Sequence, residues 1–393
     1  MIVGITNTPR DYAWGSRGAI SALLGWPATT AVEAELWLGA HHGSPTRILE
    51  PERAGGAADL VAWVESDPAE ALGSGHERFP FLLKVLAAGS PLSLQAHPTA
   101  EQAVAGFARE EAAGIPLGAA ERNYKDPYPK PEFIVAMSER FGALCGFRPV
   151  AESRAVLDRL VELATSTLPD AREGIDRLLD RLTDDGSLRS VVEWLLTRGE
   201  GAEDAVDAVS RVALAHRDAA RTQAVLAETY PGDPGIVVSL LLHEVVLERG
   251  EAIFLPAGNI HAYLYGVGIE LMEASDNVLR GGLTPKHIDV PELLAVLDTT
   301  PHGVPWLRPE VPVPGVRIFR PEGVGFELVE VEGDALVPLG GPAIVLGLEG
   351  SFTLAGATDE VALSRGHARY VTGESGITLR GAGLAVIATA ASR

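Results

Sequence analysis

Gly250-Glu-Ala-Ile-Phe-Leu-Pro256-Ala-Gly258-Asn-Ile-His261 is the stretch on which the reading of this 393-residue chain turns. An apolar run ends at Pro256, which cannot donate to a ladder, and Gly258 permits a tight turn. The chain then returns as a strand that begins on His261. An imidazole held at the start of an inward-facing strand is well placed to ligate a metal. Upstream, Gly89-Ser-Pro-Leu-Ser-Leu-Gln95-Ala-His97 places two further donors two residues apart, and such residues share one face of a strand. A carboxylate should complete the set, and Glu132 in Tyr128-Pro-Lys130-Pro-Glu132 is the candidate. Two nitrogen and two oxygen donors suit zinc, although manganese and iron also accept them.

Texture changes along the chain in step with this reading. Residues 1 to about 100 carry short apolar runs between Gly and Pro, the pattern of strands joined by turns. From 151 to 230, segments such as GIDRLLDRL and LRSVVEWLL repeat apolar residues every three or four positions, which reads as helix. Strand texture resumes after Pro231-Gly-Asp-Pro-Gly. A Pro-rich connection from about 300 to 314 leads into VRIFR, FELVEVE, AIVLGLE and LAVIATA, a further set of short strands. The expected organisation is therefore 1–150 with 231–300 as the metal-bearing unit, 151–230 as a helical insert, and 301–393 as a second β unit.

The second β unit reads as a degenerate copy of the first. Arg249-Gly250 followed by EAIFLPAGNIHAYL aligns with Arg365-Gly366 followed by HARYVTGESGITLR. Pro256 becomes Thr372, Gly258 becomes Glu374, and His261 falls on Ile377, so the copy keeps the strands and loses the ligand.

Composition narrows the partners. A net charge of −21 argues against sequence-independent nucleic-acid binding, which rests on clustered Lys and Arg. No apolar run approaches the roughly 20 residues needed to cross a bilayer, and the N-terminus lacks a secretory pattern. The single cysteine, Cys145, excludes an internal disulfide and reads as a small buried hydrophobe, so a reducing cytoplasm is the expected location. Of 32 basic residues only Lys84, Lys125, Lys130 and Lys286 are lysines, which leaves 28 arginines. All four lie in the motif-bearing segments, where a compact ammonium has a chemical use.

Several stretches together resemble a known family. G-x5-P-x-G-x2-H is similar to the second cupin motif, and 89–97 resembles the first with Gln95 in place of a histidine. YAWGS (12–16), AELWLGAHHGSP (34–45), QAHP (95–98), YPKPE (128–132), LPAGNIHAY (255–263) and IELMEASDNVLRGGLTPKH (269–287) resemble type I mannose-6-phosphate isomerases. The resemblance implies a mainly β fold: a catalytic cupin-type jelly-roll barrel, a helical insert domain and a second C-terminal jelly roll. It also implies one zinc ion per chain on Gln95, His97, Glu132 and His261. The active-site groups it implies are Trp14, Ser93, Lys130, Glu270 and Arg280. The expected reaction interconverts D-mannose 6-phosphate and D-fructose 6-phosphate.

Aldose–ketose isomerisation needs a base that moves a proton between neighbouring carbons, and Glu270 is the first choice. Lys130 and His97 are alternatives, Lys84 a weaker one that otherwise binds substrate, and Glu273 a structural group. Arg280, with Lys286 and Ser93, is expected to take the phosphate, the two glycines after Arg280 allowing close approach. Asp276 and Asn277 fix their loop or bind sugar hydroxyls, Trp14 forms an apolar wall, and His41 and His42 read as structural. A small sugar phosphate is the expected partner, with no nucleic acid, no membrane, and a monomer or weak homo-oligomer. A cupin oxygenase is the competing enzyme class and would not need phosphate-binding residues. A non-catalytic sugar-phosphate sensor would keep Arg280 and Lys286 without needing a base.

Overall fold

The computed structural model describes residues 1–73 and 75–391. It is a sheet-rich, mixed α/β structure in which two large antiparallel sheets, of nine and ten strands, organise the described residues. No helix among them is long and apolar enough to cross a membrane.

The nine-stranded sheet is built around His261–Met272. The first half of this strand pairs with Arg140–Phe147, and His261 also lies opposite Gln95 of Leu94–Ala96. The second half runs between Leu82–Ala88 and Glu132–Ala136. A regular strand would turn Glu270 away from His261, because nine residues separate them and side chains alternate. The register shifts between Tyr263 and Tyr265, and Gly266 adopts φ 114° just beyond. That bulge restores the face, so Glu270 lines the same cavity as Tyr263.

The helical periodicity is realised as Val150–Thr167, Arg172–Arg181, Leu188–Leu196, Ala202–Ala215 and Arg221–Thr229. These helices connect Arg140–Phe147 to Leu242–Glu248, two strands that pair with each other, so the segment is an excursion between neighbours. Their apolar faces share one core with Leu144, Phe147, Ile260, Ala262 and Leu279 of the sheet. The reading of residues 1–100 as strands and turns needs correction. Ala19–Leu24, Leu60–Ser66 and Pro68–Leu72 are helical. Asp59 and Asp67 cap the second and third through their side chains, and Pro68 occupies a first-turn position.

The ten-stranded sheet holds the C-terminal strands, and Ile2–Thr6 joins it by pairing with Ala368–Val371. The first strand of the chain thus joins the last sheet, with Arg47–Ile48 beyond it at the edge, although both lie within the 1–150 block. The outward residues Leu83, Val85, Phe133, Val135, Ile269 and Leu271 pack with Phe326, Leu328, Ile344 and Val386 in a common core. The interior of the nine-stranded sheet is therefore braced by helices on one side and by the second sheet on the other. Within the latter, Ala368–Val371 corresponds residue for residue to Ala252–Leu255, and Gly366 (φ 78°) repeats the conformation of Gly250 (φ 82°). Cys145 is fully buried, and burial pushes its thiol up to about 12, so it behaves as an apolar filler.

Candidate metal centre and its cleft

His97, Glu132 and His261 converge, with one ligand atom from each within 4.8 Å of the others. Glu132 Oε2 lies 3.5 Å from His97 Nε2, and Glu132 Oε1 lies 2.9 Å from His261 Nε2. Two ligands bound at 2.0–2.1 Å on one tetrahedral ion stand about 3.4 Å apart, so the spacing suits a shared cation. Each imidazole is oriented from behind. His97 Nδ1 donates to the Asn277 carbonyl at 2.7 Å, and His261 Nδ1 donates to the Asn259 carbonyl at 3.1 Å. Both Nε2 lone pairs are thereby turned toward Glu132. Gln95 Nε2 stands 3.3 Å from His261 Nε2, and a half-turn of the amide presents its oxygen instead.

The electrostatics favour positive charge at this point. Glu132 is fully buried and its Oε1 has no hydrogen-bond partner among the described residues, a costly state for a carboxylate. Lys130 Nζ approaches Glu132 Oε2 at 2.6 Å and His97 Nε2 at 3.1 Å. Burial would raise the Glu132 carboxyl, but the neighbouring positive charge, the Lys130 ammonium foremost, holds it well below the usual range. Burial, then Lys130, push His97 down to about 4, which keeps it neutral and able to ligate at neutral pH.

A cleft of about 750 Å³ opens in front of these groups, and Gln95 and Lys130 reach its wall. Deeper along it, Lys84 Nζ lies 2.9 Å from Glu270 Oε2 and 3.4 Å from Glu35 Oε1, with all three residues buried. Glu270 and Lys84 are direct cross-strand partners, as are Lys84 and Trp37, and Trp37 Nε1 donates to Glu35 Oε2 at 3.0 Å. Burial alone would discharge Lys84, but Glu270 and Glu35 raise it above its ordinary value, so it stays charged. With two carboxylates facing one ammonium, burial prevails at Glu270 and raises its carboxyl. Tyr263 presents a buried hydroxyl that makes no hydrogen bond among the described residues, raised by burial and by the nearby Glu270 charge.

Another part of the cleft wall is cationic, and Arg280 there is the cross-strand partner of Gln95. Arg280 and Lys286 both line it and neither pairs with an acid among the described residues. Burial lowers Arg280, while burial and the Arg280 charge lower Lys286, the signature of cations short of counter-charge. Asp276 also lines the cleft. Burial alone would raise its carboxyl, but the His41 contact, with Nε2 at 3.3 Å, together with the charges of Lys84 and Lys130 outweighs that and lowers it.

Of the residues expected from the sequence, Trp14, Lys84, Ser93, Gln95, Lys130, Glu270, Asp276, Arg280 and Lys286 all border this cleft, with His97, Glu132 and His261 grouped behind Gln95 and Lys130. The structure adds detail at three further places. The glycines after Arg280 serve packing, since a Cβ on Gly282 would meet the Gly235 backbone at 2.9 Å. Lys125 is not part of the cleft lining and donates to the Leu117 and Ala119 carbonyls. His41 is tied to the cleft through Asp276, whereas His42 is exposed. Glu273 pairs with Arg78, in keeping with a structural role. Sequence reasoning missed Glu35, Tyr12, Tyr263 and Tyr230, all of which line the cleft. Tyr263 was findable, because it lies two residues after His261 on one strand. Glu35 was findable as an acid inside an apolar strand, but nothing flagged Tyr230, which the helical segment delivers.

The chain is similar to known proteins over nearly its whole length. Residues 2–150 match the family described as phosphomannose isomerase type I, catalytic domain. The chain is 36% identical to the mannose-6-phosphate isomerase of Escherichia coli K12 over 392 residues, covering 96% of this chain and 97% of the relative. It is 30% identical to the Rattus norvegicus enzyme of that name, over 94% and 93% of the two chains. A crystal structure of a zinc-bound mannose 6-phosphate isomerase superposes with a TM-score of 0.87 at 34% identity, covering 100% of both chains. The apo form from Salmonella typhimurium gives 0.85 at 34% identity, over 100% of this chain and 99% of that one.

Proposed function

The chain belongs to the type I mannose-6-phosphate isomerase family, and from that premise we propose that it interconverts D-mannose 6-phosphate and D-fructose 6-phosphate with one zinc ion per chain. The observation that carries this reading is the meeting of two unlike groups of side chains at one cleft. In one, a buried carboxylate with an oxygen unsatisfied among the described residues faces two oriented imidazoles; in the other, Arg280 and Lys286 line the cleft with no acidic partner among the described residues.

We assign Gln95, His97, Glu132 and His261 as the zinc ligands, a donor set of two imidazoles, a carboxylate and an amide that suits the ion. Bound there, zinc supplies a Lewis acid for the negative charge that develops on sugar oxygens during isomerisation. Arg280 and Lys286 take the phosphate, with Ser93 as a hydroxyl donor, and so fix where the sugar carbons lie. Glu270 removes the carbon proton on one face of the sugar and returns it at the neighbouring carbon through a cis-enediolate. Its raised carboxyl supports that role, since a base works best when its pKa approaches the working pH. Lys84, held protonated by Glu35 and Glu270, donates to a sugar oxygen, and Lys130 donates beside the metal ligands. Trp14 walls off the apolar side, and Asp276 accepts from a sugar hydroxyl.

The nine-stranded sheet is read as a cupin-type jelly-roll barrel holding the site, and the C-terminal sheet as a second barrel without one. Residues 151–230 form the helical unit inserted within the first barrel's chain, and Thr229 and Tyr230 from its end border the cleft. A coupled assay tests the function. Turnover of mannose 6-phosphate should vanish with a chelator and return with zinc. Turnover unaffected by chelation would remove the metal from the reaction, and binding without turnover would leave a sensor.

A further inference from the structure

Asn277 is completely buried and uses its whole hydrogen-bonding capacity on two loops that meet at the metal ligands. Its carbonyl accepts from His97 Nδ1 at 2.7 Å. Its Oδ1 accepts the Lys125 and Asp126 amides at 2.7 and 3.3 Å. Its Nδ2 donates to the carbonyls of Asp126 and Tyr128, each at 2.8 Å, and to Asp126 Oδ1 at 3.3 Å. Two amides on one side and carbonyls on the other leave a single consistent orientation for the side chain. Asp126 returns the connection, accepting from Ser275 Oγ at 2.9 Å and from the Asp276 amide at 2.9 Å.

We propose that Asn277 is a positioning residue for the metal centre: one residue sets the His97 tautomer and fixes the course of the loop that delivers Lys130 and Glu132. The link from Tyr128 to Glu132 is stiff, because Pro129 and Pro131 each lock a backbone torsion. Fixing the Tyr128 carbonyl therefore constrains where Lys130 and Glu132 emerge. On its other side Asn277 lies between Asp276 and Arg280, so the same clamp holds the cleft wall that takes the sugar and its phosphate. The orienting groups behind metal ligands typically change metal affinity by about 10- to 100-fold when altered.

The inference rests on the zinc reading above, and the test separates the two. Zinc Kd is measured by chelator competition on the full chain for the native protein and for Asn277→Ala, Asn277→Asp and Asp126→Asn, alongside the Tm of each zinc-free chain. Asn277→Ala should weaken zinc about 10- to 100-fold, and Asn277→Asp further, because it aims an acceptor at carbonyl oxygens. A lowered Tm with zinc Kd within about twofold of native would make Asn277 a space-filling residue only and overturn the inference. If neither Asn277 variant folds, Asp126→Asn decides: several-fold weaker zinc supports the clamp, and unchanged affinity rejects it. A native chain without zinc affinity removes the metal reading and this inference together, whereas a zinc-binding native chain with unchanged variants removes this inference alone.

Discussion

Two turns of the chain invite comparison: Leu255–His261 in the nine-stranded sheet and Val371–Ile377 in the ten-stranded one. Each follows a four-residue strand, and each strand is preceded by a glycine in the same left-handed conformation. The interiors differ completely. His261 faces Glu132 beside Lys130, with Lys84, Glu35 and Glu270 along the same cavity. Ile377 sits in an apolar core with Val345, Leu354, Leu363 and Ile387. One strand pattern therefore supports either a dry hydrophobic interior or a buried array of charges, and the chosen residues decide which. The ionic interior is the expensive one, since buried charges must be paired or bind an ion.

The most severe way to break the contrast is to give the first turn the residue of the second. His261→Ile should abolish tight zinc binding and lower mannose 6-phosphate turnover by about 1000-fold or more, checked by metal analysis and the coupled assay. Next comes the charge array. Lys84→Met leaves Glu35 and Glu270 facing each other without an ammonium, and should cost about 3–5 kcal/mol in denaturant unfolding as well as activity. The reverse graft is milder. Ile377→His places an unpartnered imidazole in the second core and should destabilise by about 2–4 kcal/mol, with zinc stoichiometry unchanged. The smallest effect is a displacement of pH dependence. Glu270 acts ionised, so kcat/KM should fall as pH drops through its carboxyl, whose pKa is raised above the ordinary 4.5. Lys84 opposes that rise, so residual activity in Lys84→Met should lose its acid limb at higher pH than the native enzyme; an unmoved limb would shift the base to Lys130.

The sequence was legible wherever a residue's role depended on its near neighbours. Pro256, Gly258 and His261 announce strand, turn and returning strand, and the three-to-four spacing of apolar residues after Pro149 announces helix. Glu270 was chosen for the right cavity without the reason it gets there. The bulge near Tyr265 has no local signature beyond Gly266, and without it the carboxylate would face the core. Placement of Ile2–Thr6 in the last sheet was illegible because the strand and its partner are separated by almost the whole chain. The tie of His41 to Asp276 was illegible because it crosses two loops that only the fold brings together. Asn277 could be seen as a loop residue, but its hold on His97 is made by a backbone carbonyl, which any residue type carries.

Everything proposed for the cleft depends on one cation shared by four side chains. Anomalous diffraction at the zinc edge, from crystals of the zinc-loaded protein, tests that most directly. The account predicts one strong peak per chain, within bonding distance of Gln95, His97, Glu132 and His261. A zinc peak bounded by other residues, or none at these four in fully loaded and active protein, would contradict it.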